Sequence, residues 1–176
     1  MKNRARPSDR RWHLRHTTAP FHDALDAAMG QFDTLANYHA YLSGLHAFRA
    51  AIEPTLRDLD GWTPTRLLPL LDADMADCAL APHPPLTPPD VAGDAIWGVT
   101  YVLEGSALGA QLLRRRAADL GLDAGFGARH LALPLDNWRA FLARLDGAEP
   151  YDAEAAARGA VAAFTTAHAA FFKELT

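Results

Sequence analysis

The chain is short of the residues that build disulfides, sheets and membrane spans. Cys78 is its single cysteine, which excludes an intrachain disulfide and a cysteine-based zinc site. β-Branched residues are few beside abundant alanine and leucine, a balance that favours helices over sheets. No run approaches the roughly 18 apolar residues that cross a bilayer. The arginine-rich start, residues 1–15, lacks the apolar core of a secretory signal. The net charge of −4 excludes the broad basic field of a nucleic-acid binder. A cytoplasmic location with neither nucleic acid nor membrane as partner is therefore expected.

What is present suits one globular domain. The 176 residues are 49% hydrophobic, enough for a sizeable core. Residues 1–11 read as a flexible basic tail, and residues 12–176 as the domain. Helical periodicity is the dominant pattern, and no segment alternates as a strand does. A first helix starts near Ser8 or Asp9, or is capped afresh at Thr17 or Thr18 to accommodate Pro20. A second, capped by Asp33 or Thr34, runs toward Asp58 with Pro54 bending its end. Further helices are expected over 72–80, 90–120, 136–145 (capped by Asp136) and 152–175. Residues 82–89 are a stiff proline-rich connector. The fold class is all-α, a single bundle-like domain.

One helix carries an energetic oddity. Gly105 and Gly109 lie four residues apart in the middle of the 90–120 helix, on one face. Each costs a helix interior about 1 kcal/mol relative to alanine. That cost is tolerable where something must lie against the backbone.

Other chemistry-bearing residues are less specific. None of the eight histidines forms an HExxH zinc motif, and His39 with His46 is a weak metal pair. Asp72, Asp74 and Asp77 lack the glycine and terminal glutamate of a calcium loop and read as a solvated helix face. Glu104 stands in an apolar stretch, so it has a partner, points to solvent, or is a buried acid with a raised pKa. Ser106 is not flanked as a nucleophile elbow requires. His22, between Phe21 and Leu25, reads alone as a core or boundary histidine. A neutral imidazole is also a good axial ligand for haem iron.

Taken together, these segments resemble a known family. Leu14-Arg15, Thr18, His22 and Leu25-Asp26 resemble the proximal helix of haem oxygenases. Tyr101-Val102-Leu103-Glu104-Gly105-Ser106-Ala107-Leu108-Gly109 is similar to the distal helix of the bacterial members. Tyr41-Leu42, Gly44-Leu45-His46 and Phe48 are also found in that group. The resemblance covers residues 12–175, with the proximal element about 80 residues before the distal one.

The resemblance implies haem b as substrate and cofactor, cleaved with dioxygen to biliverdin, carbon monoxide and ferrous iron. His22 would be the axial ligand. Gly105 and Gly109 would bring the distal backbone onto the haem, and water near Ser106 would supply protons. Arg15, Tyr101 and Arg139 would meet the propionates, and Phe164 and Phe171 would wall the pocket. Ser106 stands where many animal members have aspartate, and Ala107 where several bacterial relatives have asparagine. Electrons would come from a ferredoxin or a reductase, since the chain has no flavin or iron–sulfur motif. A bacteriophytochrome is a candidate biliverdin acceptor; iron release is the other use within the family. A non-catalytic haem carrier or sensor on the same fold is the alternative. An interaction module without haem is opposed by the intact His22, Gly105 and Gly109.

Overall fold

The structure, a computed structural model, describes residues 8–29 and 32–172. Six helices follow in order: α1 (Asp9–Met29), α2 (Leu35–Ile52), α3 (Leu68–Asp77), α4 (Ala95–Asp119), α5 (Asp136–Gly147) and α6 (Ala153–Phe171). Short 3-10 turns occupy Glu53–Thr55 and Arg129–Ala132. Among the described residues there is no strand, only isolated bridges, so the expected all-α class holds.

Helix α6 is the hub, packing on α4, α1 and α2. Its inner face is made of small residues, with Ala156, Ala160, Ala163 and Ala167 all buried. Glycine carries the closest approach. A Cβ on Gly98 of α4 would lie 2.6 Å from the Ala160 nitrogen, and one on Gly159 of α6 would lie 2.7 Å from the Ala95 carbonyl carbon. The two backbones touch there, which no larger residue permits. Phe141, Leu14, Leu42, Leu103 and Leu145 fill the remaining core, each contributing about 1.5–3 kcal/mol by burial.

Several boundaries differ from the sequence expectation for identifiable reasons. Helix α1 is one unbroken element that starts three residues ahead of the expected domain edge at Trp12. Arg10 and Arg11 hold it there. The Arg10 guanidinium donates to the carbonyls of Leu145 (2.8 Å) and Ala148 (2.7 Å) at the end of α5. Arg11 Nε donates to Asp146 at 3.0 Å. Pro20 lies inside the helix on its exposed side. Residues 1–7, most of the expected tail, lie outside the described residues, as do Gly30 and Leu175.

Thr34 caps α2 by accepting from the Asn37 N–H, but α2 ends at Ile52 rather than near Asp58, because Pro54 falls in the 3-10 turn. Helix α3 begins at Leu68, earlier than expected, with Pro69 in its first turn. Asp136 is the first residue of α5, not its cap. Asp152 does cap α6, accepting from the Ala155 N–H.

The solvated face expected of Asp72, Asp74 and Asp77 needs correction. Asp74 is fully buried. It accepts from His130 Nδ1 (2.8 Å), Arg129 Nη1 (2.9 Å) and the backbone N–H groups of both residues. Burial opposes its ionisation, but these bonds outweigh it and hold the carboxyl below the usual range. The 129–132 turn, unseen in the sequence, is what delivers those donors. Asp77 pairs with Arg129 as well, while Asp72 stays exposed and binds the buried His46 at 2.8 Å.

Candidate functional site

Helices α1 and α4 both pack on α6 but hardly on each other. Each keeps an apolar surface uncovered by protein. On α4, Leu108 and Leu112 are about half exposed and share one face with Gly105 and Gly109, since positions i, i+3, i+4 and i+7 align on a helix. On α1, Phe21 is exposed beside His22.

The glycine pair is unlike the other glycines of the helix interiors. The protein itself fills the space at Gly98, Gly159 and Gly44. A Cβ at Gly105 would make only an ordinary contact, 3.5 Å from the Trp138 ring, and one at Gly109 would meet nothing within 4 Å. Packing within the chain therefore does not require glycine at either position, and their cost of about 1 kcal/mol each is not offset inside the protein.

His22 is exposed, with Nδ1 3.2 Å from the Asp26 carboxylate one turn on. A carboxylate that takes the Nδ1–H leaves the Nε2 lone pair available, the arrangement metal-ligating histidines commonly use. The sequence motif contained Asp26 without indicating this role. Phe164 of α6 meets both Phe21 (6.4 Å between ring centroids) and His22 (6.2 Å, edge-on).

At the other end of this face, Arg15 is exposed and has no carboxylate partner among the described residues. It lies within electrostatic reach of Tyr101 on α4. Burial raises the Tyr101 pKa while Arg15 and Arg11 oppose the rise, so the hydroxyl keeps its proton at neutral pH and can donate. Tyr101 also packs on Trp138 at 5.4 Å, and Trp138 backs Gly105.

Two expected members have contacts of their own within the protein. Arg139 is exposed on α5 and pairs with Asp136 at 3.5 Å. The Phe171 ring fits the notch at Gly44, where its carbons would lie 2.8 and 3.0 Å from a Cβ, and it meets Tyr41 at 6.3 Å. Its place is against α2, which explains the glycine in the Tyr41-Leu42, Gly44-Leu45 segment.

Behind α4 lies a polar layer that periodicity could not reveal. Arg49 of α2 is 2% exposed. Its Nη2 donates to the Leu103 carbonyl (2.9 Å) and to Ser106 Oγ (3.1 Å). Ser106 in turn donates to the same carbonyl at 2.7 Å. Glu104, also buried, accepts from the Thr65 N–H (2.7 Å), the Thr65 hydroxyl (2.9 Å) and Asn137 Nδ2 (3.4 Å). Burial pushes its carboxyl up, and these donors together with the Arg49 charge offset only part of the rise. Of the readings left open for Glu104, burial and partnership hold together. An arginine in an apolar helix, as in Leu45-His46-Ala47-Phe48-Arg49, was the only available signal for this layer.

The donor set fits a flat, apolar ligand with acidic edges and a metal centre. It offers an uncovered apolar face, a backbone bared by two glycines, a histidine with a free ring nitrogen, and a cation with a phenol at one end. No family model matches the chain. The chain is 36% identical over 151 residues to the heme oxygenase PigA of Pseudomonas aeruginosa, covering 76% of this chain and 75% of that protein. Its structure is similar to the NO- and CO-bound heme oxygenase of Neisseria meningitidis, with a TM-score of 0.77, 27% identity and 92% of each chain covered.

Proposed function

Because this chain belongs to the bacterial haem oxygenase family, we propose that it cleaves haem to biliverdin, carbon monoxide and ferrous iron, using dioxygen and electrons from a separate donor protein. The observation that carries this reading is the glycine pair: two helix-interior glycines that the chain's own packing does not need, on a face lined by exposed Leu108 and Leu112.

Bound haem supplies both the redox-active iron and the ring that is oxidised. The chain's residues bind, orient and shield it. Arg15 pairs with one propionate and the Tyr101 hydroxyl donates to another acidic oxygen. His22 lies two turns from Arg15 along α1, about 10 Å by helix rise, and Gly109 lies two turns from Tyr101 along α4, about 12 Å. These matched spans let one planar ligand anchored at Arg15 and Tyr101 reach both the imidazole and the bared backbone. Asp26 orients the imidazole so that Nε2 would be the atom that holds the iron. Phe21 and Phe164 cover the apolar edge and exclude water. Arg139, exposed on α5, would be a further propionate partner, and Phe171 would wall the pocket while bracing α6 against α2.

Ser106 has a different part from a direct proton donor. Its hydroxyl proton is committed to the Leu103 carbonyl and a lone pair to Arg49, so Ser106 would hold the α4 backbone and leave proton supply to water.

Among the described residues no helix is long and apolar enough to cross a membrane. In this reading the enzyme works in the cytoplasm with a ferredoxin or a flavin reductase as donor. A bacteriophytochrome is the acceptor favoured by the Tyr101-Val102-Leu103-Glu104-Gly105-Ser106 wording.

The test is to add haemin, then ascorbate or ferredoxin with its reductase under air. Loss of the Soret band with growth of a biliverdin band is expected. A Soret band that survives reductant makes the chain a carrier, and no Soret band at all refutes haem binding.

A further inference from the structure

We infer that Arg49 is a positioning residue that holds the Leu103–Ser106 turn of α4 and so sets how closely the Gly105–Gly109 backbone approaches a ligand; this rests on the haem reading above. In a regular helix the Leu103 carbonyl serves the N–H of residue 107. Here it also faces the Ser106 hydroxyl at 2.7 Å and Arg49 Nη2 at 2.9 Å. Extra donors on one helix carbonyl weaken its axial bond and tilt the peptide, and serine bonding back into its own helix bends it. These donors meet in the turn that contains Gly105, where the missing side chain lets the backbone yield.

The guanidinium is itself held in place. Nη1 lies 3.4 Å from Glu53 Oε1. The Glu53 carboxylate also takes the Leu67 and Leu68 N–H groups at 2.8 and 3.2 Å, anchoring it to the start of α3. Removal of a guanidinium from water is costly unless it is paired and bonded. An apolar side chain would fill the same volume without that cost. The charge sits where it can grip two groups of α4 at once, on the side of that helix away from its uncovered face.

Arg49→Gln, Arg49→Lys and Ser106→Ala test this. In the haem-free protein, Arg49→Gln should speed amide hydrogen exchange over residues 103–110 about fivefold or more, with α6 unchanged. In the haemin-loaded protein, the pH midpoint of the ferric spectral transition should move by about half a unit or more, and the biliverdin isomer ratio should change. Lysine, with a single point of contact, should restore part of the protection. Ser106→Ala, which leaves the Arg49–Glu53 pair intact, should move both readouts in the same direction by less, and it carries the test if Arg49→Gln does not fold. Wild-type exchange over 103–110 together with a wild-type midpoint would overturn the inference, as would exchange that rises uniformly through α6. Wild-type protein that takes up no haemin would instead overturn the functional reading and this role with it.

Discussion

Replacing Gly109 by alanine separates what the fold needs from what the ligand needs. A Cβ at Gly109 meets no protein atom within 4 Å, and Gly109 has no left-handed backbone angle to protect. The substitution removes unfolded-state freedom and improves helix propensity, so haem-free protein should gain about 1 kcal/mol. For a chain of this length that is a rise in Tm of about 2–4 °C, read by far-UV circular dichroism. The same methyl occupies the bared backbone that a ligand would approach. Overpacking there should cost about 1–3 kcal/mol of binding, a loss of about 5- to 150-fold, read by haemin titration and by biliverdin formation. Gly98→Ala is the contrast, because its Cβ would lie 2.6 Å from the Ala160 nitrogen; it should destabilise the haem-free fold. A Gly109→Ala protein that is more stable and cleaves haem at the wild-type rate would refute the argument. A destabilised haem-free Gly109→Ala protein would refute it from the other side.

His22→Ala should change the ferric spectrum and lower haemin affinity, and an unchanged ligation spectrum would show that another residue holds the iron. Arg15→Ala should weaken haemin binding several-fold and increasingly so at low ionic strength, because an exposed cation acts through a screened field; equal affinities at low and high salt would count against the propionate role. Asp74→Asn should cost about 3 kcal/mol of stability, since it leaves the donors of Arg129 and His130 short of a buried charge. The Asp74 carboxyl is depressed in the fold, so its stabilisation is present above the unfolded value of about 3.9 and is lost as pH falls through the folded value. Acid unfolding of the wild type should therefore flatten in Asp74→Asn over that window, as urea midpoints would record.

Much of this protein is legible without coordinates because helices report themselves locally. The cap at Thr34, the break at Pro54 and the apolar spacing of α2 and α6 follow from backbone chemistry within a few residues. The glycine pair and the His22 motif are equally local, and their combination was enough to indicate the family. Contacts between elements are another matter. Asp74 looks like one acid of a solvated row until the 129–132 turn, some 55 residues away, brings it two N–H groups, an imidazole and a guanidinium. Phe171 reads only as pocket wall until Gly44 of α2 offers it a notch. Composition and period thus indicated an all-α chain of six helices, because propensity and amphipathicity act within one turn, and the resemblance of two short motifs indicated the family. Only the tertiary structure decided that Arg49 grips the distal helix, that Ser106 turns its proton inward, and that Gly105 and Gly109 are glycines the chain's own packing does not require, because each depends on which side chains meet across helices.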